Sequence, residues 1–178
     1  MVMVNIMEKP QSIEELNREE LLELLKIYAK NWLAHDGCWF LSVEEKHGIE
    51  EAIDIDRESW RKFTVIEAKR IMEFLKLPVR SGIEGLANAL KFRLYSTINN
   101  DRVEIIDDNT LLYNVQTCRV QGARRKKNLA DFPCKSVGIV EYSLFAETID
   151  DRFKCECLSC PPEITDGENY CVWRFSLD

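Results

Sequence analysis

Between Leu21 and Trp39 the apolar residues Leu21, Leu24, Leu25, Tyr28, Trp32 and Trp39 return with the 3.6-residue rhythm of a helix that buries one face. Asn17 can cap that helix, with Glu20 three residues on to close a capping box and Leu16 and Leu21 flanking it as a hydrophobic staple. Gly48 suits the position just past the end, so the pattern predicts one helix from Arg18 to about His47, bending near Gly37. A second helix is predicted from Arg57 to Lys76, capped by Asp56, with Trp60, Phe63, Ile71, Phe74 and Leu75 turned inward and Pro78 stopping it. Ser81 and Glu84 predict another capping box, ahead of a third helix whose buried stripe is Ile83, Leu86, Ala87 and Leu90.

After Asn99-Asn100 the pattern changes. Val103 to Ile106, the turn Asp107-Asp108-Asn109 and Leu111 to Val115 read as strand, turn, strand. A short basic helix follows from Gln121 to Lys127. A longer one runs from Ser136 to Ile149, with Val137, Val140, Leu144 and Phe145 on one side. Two more strands fit Phe153–Leu158 and Tyr170–Leu177; in the last, Cys171, Trp173, Phe175 and Leu177 alternate with Val172, Arg174 and Ser176. The expected fold is α+β: N-terminal helices, then a small antiparallel sheet with an interleaved helix. Residues 1–16 read as an N-terminal extension. Residues 17–178 read as a single α+β domain, helical over 17–99 and sheet-containing and cysteine-rich over 100–178.

At 178 residues, 46% of them hydrophobic and 31% charged, the chain can bury a real core. No apolar run reaches the roughly 20 residues that cross a bilayer, and the first residues lack the pattern of a secretory signal, so the expectation is a cytoplasmic protein without membrane contact. The formal charge of −7 argues against nucleic-acid binding through a global positive field. One basic run, Arg124-Arg125-Lys126-Lys127, reads first as a solvated face and second as an anion or substrate contact.

Seven cysteines, six of them from Cys118 onward, change the picture most. An odd count without a secretion signal argues against a disulfide framework and for metal ligands, a redox group or a nucleophile. Cys157 and Cys160 have the C-x-x-C spacing that brings two thiolates to one ion, and a tetrahedral zinc site or an iron–sulfur cluster needs four ligands. Cys118, at the end of the second strand, and Cys134, ahead of a helix whose free N–H groups and Lys135 favour a thiolate, are the best partners. Cys155 shares a strand face with Cys157 and could replace either. Simple packing is the alternative for all of them, and the expected one for Cys38 and Cys171.

Two further neighbourhoods carry chemistry. Trp32, His35, Asp36 and Trp39 stand at i, i+3, i+4 and i+7, so one helix face is expected to present an acid–base pair between two indoles, suited to a small, flat, polar ligand. Glu141 lies on an apolar stripe, where a carboxylate is costly without a partner. It reads either as a general acid/base, with His35 as a second proton carrier, or as the acceptor that orients Arg119 or Arg124.

The stretches Asn31-Trp32-Leu33-Ala34-His35-Asp36-Gly37, Cys118-Arg119-Val120-Gln121, Phe132-Pro133-Cys134-Lys135, Gly138-Ile139-Val140-Glu141-Tyr142 and Cys157-Leu158-Ser159-Cys160-Pro161-Pro162 resemble an uncharacterised group of small prokaryotic cytosolic proteins, over about Leu21 to Leu177. That group is distantly similar to the L-2-amino-thiazoline-4-carboxylic acid hydrolases. The resemblance implies water-driven opening of a small cyclic C=N substrate, with metal help and with His35 and Glu141 moving protons. Trp32, Asp36, Trp39 and Arg119 would then bind the substrate. A Cys118, Cys134, Cys157, Cys160 site full of thiolates would instead suit a non-enzymatic zinc, iron–sulfur or small-ligand sensor. The order of elements also resembles the small-molecule-binding domains related to vinyl reductase proteins, which implies a homodimer.

Overall fold

The computed structural model describes residues 10–165 and 167–177. The predicted extension over 1–16 therefore lies mostly outside the described residues. Helix α1 spans Arg18–His47, and its capping box forms as the sequence requires: the Glu20 amide donates to Asn17 Oδ1 at 3.0 Å and the Asn17 amide to Glu20 Oε2 at 2.9 Å. Gly48 ends α1 at φ +89°, a left-handed backbone that a side chain resists. Helix α2, Ile49–Leu75, starts on the next residue. One glycine thus closes one helix and opens another. The onset is earlier than the predicted Arg57, and Asp56 stands inside α2 rather than capping it.

Helix α3 spans Gly82–Leu90, and its predicted capping box does not form. The Ser81 hydroxyl bonds to the Pro78 carbonyl, while Asp150 Oδ2 accepts from the Gly82 amide at 3.1 Å. A 3₁₀ turn at Leu94–Thr97 leads into strand β1, Asn100–Asp107, and the hairpin partner β2, Thr110–Thr117. Helices α4, Arg119–Lys126, and α5, Lys135–Ile149, precede β3, Phe153–Ser159, and β4, Cys171–Leu177. The four strands form one antiparallel sheet in the order β1-β2-β4-β3. The fold is α+β, with the helical half first and helices interleaved among the strands.

Strand alternation sorts the sheet. Leu111, Tyr113 and Val115 of β2 pair with Phe175, Trp173 and Cys171 of β4, and all six are buried. Tyr142, Phe145 and Ile149 of α5 and Leu86 and Leu90 of α3 join them in the main core. Each fully buried side chain of this size contributes about 1.5–3 kcal/mol from leaving water. Gly138 sets how closely α5 approaches: a Cβ there would lie 2.7 Å from the Trp173 ring.

A second cluster joins Trp60, Phe132 and Val137, with Trp32, Phe40, Phe63 and Tyr95 packed on it. Trp32 stacks on Phe63 at 5.5 Å and Trp60 on Tyr95 at 5.8 Å. The apolar rhythm misleads at several places on the helices: Phe74 is 73% exposed and Trp39 67% exposed, and Leu21, Leu25 and Tyr28 of the same predicted stripe are exposed as well. No helix among the described residues is long and apolar enough to cross a membrane.

Candidate functional site

The aromatic cluster and the sheet do not close completely on each other. Between them lies a cavity of about 160 Å³, walled by α1, α2, α4, α5 and the inner face of β2 and β4. A dry cavity of about 150 Å³ suffices for benzene. Helix α1 contributes Leu33, Asp36, Gly37, Phe40 and Leu41, α2 contributes Asp56 and Trp60, and the 3₁₀ turn contributes Tyr95. Glu141, Tyr142, Cys171 and Trp173 form the deep side, and Cys118, Arg119 and Lys127 line the α4 side.

The wall contributed by α1 is one residue out of phase with the sequence expectation. Residues at i, i+3, i+4, i+7 and i+8 from Leu33 face the cavity. Of the predicted face only Asp36 lines it. Trp32 packs in the aromatic cluster behind the wall, and His35 and Trp39 are exposed. Arg119 lines the cavity, with its amide held by Asn99 Oδ1 at 3.1 Å and its side chain largely in solvent.

Glu141 does find a buried cation, though neither of the two arginines anticipated. Arg124 pairs with Glu44 at 2.6 Å. Glu141 Oε1 accepts instead from Arg93 Nη2 at 2.6 Å, and Arg93, 1% exposed, also donates from Nε to Glu67 Oε2 at 2.9 Å. The rings of Phe145, Tyr142, Trp60 and Tyr95 surround the guanidinium at 4.8–6.0 Å. Thr64 donates to the Glu141 carbonyl at 2.9 Å, tying α2 to α5. Burial pushes the Glu141 carboxyl up, and Arg93 opposes that rise. Two carboxylates against one guanidinium leave this triad short of a positive charge.

Asp36 and Asp56 stand without such compensation. Neither forms an ion pair with a lysine or arginine among the described residues. Burial raises Asp36, with His35 pulling it back. Burial first, then the charges of Asp36 and Glu141, push Asp56 up to about 7, against the Trp60 indole that donates toward it. Two further polar atoms are unmet: the buried Arg93 Nη1 and Trp173 Nε1 have no hydrogen-bond partner among the described residues. Arg93, Phe40 and Tyr95 were not singled out as site residues in the sequence, and Asp56 was read only as a helix cap. The misplaced Glu141 was the available signal for Arg93, because a buried carboxylate demands a cation from somewhere.

The four predicted metal ligands only partly converge. Cys134, Cys157, Cys160 and Cys171 lie near enough to shift one another's titration, and Cys134 Sγ stands 4.0 Å from the Pro161 carbonyl beside Cys160, but they form no shell around one point. Cys118 lies apart as the residue that opens α4 and lines the cavity. Among the described residues no group of three or more His, Cys, Asp or Glu side chains is placed to hold a metal ion. The metal-binding, zinc and iron–sulfur expectation is thereby corrected, and the metal-assisted hydrolase expectation loses the site on which it stood. The thiols are also not poised as thiolates. The Cys134 thiol beside it, then burial, push Cys160 up to about 11, and burial first pushes Cys155 up to about 12.

Residues 14–177 match the model of a family of unknown function, DUF6125. The chain belongs to that family. No curated protein matches it. Among solved structures, it is similar to a trafficking protein particle complex subunit 3 from Naegleria fowleri covalently bound to palmitic acid. Identity is 11%, 90% of this chain and 96% of that one are covered, and the TM-score is 0.47. A likeness of that size carries no argument about what this chain does.

Proposed function

We propose that the chain is a small-molecule-binding module whose ligand combines a flat apolar body with a positively charged nitrogen. The observation that carries this reading is the cavity of about 160 Å³, with aromatic walls and two carboxyls, Asp36 and Asp56, that form no ion pair with a lysine or arginine among the described residues. Three bases also line it, but the buried Arg124 is neutralised by its pair with Glu44, and Arg119 and Lys127 are exposed and screened by water, whereas Asp36 and Asp56 act from the less polar side. A cation seated between the acids gains their charge and the faces of the surrounding rings.

Ligand-observed NMR tests it with benzylamine, benzyl alcohol and benzoate, which share one ring and differ in charge. Benzylamine binding more tightly than benzyl alcohol, with benzoate weakest, supports the reading. Equal binding of all three, or none, defeats it.

The seven cysteines are all unpaired, which suits a reducing compartment such as the cytosol. We further propose that two copies pair through the first half of α1. Leu21, Leu25 and Tyr28 share one side of the helix and are exposed, and Ala29 is the one buried residue of α1. An antiparallel crossing near Leu25 sets the acidic turn Glu19, Glu20 and Glu23 of one copy against Lys26 and Lys30 of the other. Light scattering at micromolar concentration that finds only monomer refutes the pairing.

A further inference from the structure

The two buried donors without partners are placed differently. Arg93 is enclosed by the rings of Phe145, Tyr142, Trp60 and Tyr95 and does not line the cavity. Trp173 does line it, is 1% exposed, and keeps an Nε1–H with no acceptor among the described residues. The packing around the indole explains why. Tyr113 of β2 and Cys157 of β3 flank Trp173 in the sheet register, and the Tyr142 ring lies 4.6 Å from it at 37°. Its long edge turns toward α5: a Cβ on Gly138 would stand 2.7 Å from Cζ2 and 3.8 Å from Cε2, the atom that carries Nε1. Gly138 lines the same cavity and has no side chain to offer that edge. It lies inside α5, Lys135–Ile149, where each carbonyl already accepts from the amide four residues on, so the helix spares no oxygen either. A buried N–H in this position has lost the hydrogen bond it makes to water in the unfolded chain, and an acceptor entering the cavity restores it.

We propose that the Trp173 Nε1–H is a second anchor of the cavity and takes a neutral carbonyl oxygen of the ligand. This rests on the cavity being a ligand site, as read above, and adds to what the ligand must carry. Asp36 and Asp56 belong to the helical wall made by α1 and α2, whereas Trp173 belongs to the sheet on the deep side. A ligand that meets both has its charged nitrogen at one end, a carbonyl at the other and the flat apolar body between. A carboxylate does not suit the deep end. Glu141 stands there, Arg93 is already shared between Glu141 and Glu67, and the buried Arg124 is held by Glu44, so no buried cation is left for another negative charge. The ligand class is therefore a small aromatic amine bearing an amide or ketone across the ring. Against an analogue of the same shape without the oxygen, the recovered hydrogen bond is expected to give about tenfold in affinity.

The experiment titrates the full, nitrogen-labelled chain with four probes: para-(aminomethyl)benzamide, its isostere para-isopropylbenzylamine, para-(aminomethyl)benzoate, and benzamide. The expected result is a downfield movement of the Trp173 indole proton with both amides and not with the isopropyl probe, and weaker binding of the benzoate than of its amide. Trp173→Phe keeps a ring and removes the N–H, so it should lower the affinity for para-(aminomethyl)benzamide about tenfold relative to para-isopropylbenzylamine. Because the Trp173 signal is read in the unmodified chain, a Trp173→Phe chain that fails to fold leaves the test intact. A Trp173 signal that moves alike with the amide and isopropyl probes, or a benzoate bound as tightly as its amide, overturns the proposal. Failure of the cation reading looks different: benzamide then binds as tightly as para-(aminomethyl)benzamide and still moves the Trp173 signal downfield.

Discussion

Replacing Asp56 with Asn should make the protein more stable at pH 8 and flatten its dependence on pH. Asp56 sits in the cavity wall with its acid strength shifted from the ordinary 3.8 to about 7, by burial and then by the charges of Asp36 and Glu141. Between those two values the folded chain keeps a proton that the unfolded chain releases. Stability therefore falls as pH rises through this window, and above it the contribution of this proton is fully lost. At ~1.4 kcal/mol per pH unit the shift corresponds to about 4 kcal/mol as an upper bound. Solvent still reaches this half-buried group, which reduces the expected cost to about 2 kcal/mol. Asn keeps an oxygen for the Trp60 indole and removes the charge. Urea unfolding at pH 5 and pH 8 measures the part of the window above pH 5: wild type should lose about 1 kcal/mol between the two more than Asp56→Asn does, with a small remainder from Asp36. A variant with the same pH slope as wild type, or one less stable at pH 8, would refute the electrostatic account of the cavity.

Other perturbations follow from the same coordinates. Arg93→Met leaves Glu67 and Glu141 buried without their cation and should cost about 3–5 kcal/mol in chemical unfolding, while adding Glu67→Gln and Glu141→Gln should recover most of it. Gly138→Ala pushes a methyl into the Trp173 ring and should cost about 1–3 kcal/mol, seen as a lower thermal midpoint and a changed near-UV spectrum. Leu25→Glu should yield monomers in light scattering while circular dichroism keeps its helical signal, since Leu25 is 56% exposed within its own chain.

The helices and strands were legible where local chemistry decides them. Asn17 and Glu20 set the start of α1 by reciprocal hydrogen bonds, and alternation in Cys171–Leu177 gave the inner face of β4. The start of α2 was not legible, because Gly48 reads as a terminator and nothing local says that a helix resumes at once. Asp56 then looked like a cap, a role it would have filled had the helix begun at Arg57.

The site was half legible for a related reason. Helical spacing placed Asp36 near a ligand, but the bulk of Trp39 drew attention to a face one residue away from the one Phe40 and Leu41 present to the cavity. Glu141 announced a buried partner without naming it, and Arg93 is 48 residues distant in the chain. The cysteines gathered only in part, and no three of them are placed among the described residues to hold one ion, which spacing alone does not foretell.

The indole N–H signals of the tryptophans test the ligand reading most directly, because the four divide cleanly. Trp60 and Trp173 line the cavity, whereas Trp32 lies behind its wall and Trp39 faces solvent. In a nitrogen-labelled sample titrated with benzylamine, the Trp60 and Trp173 signals should move together along one binding curve while Trp39 stays still. Signals that do not move, or a shift confined to Trp39, would contradict a ligand site inside the fold.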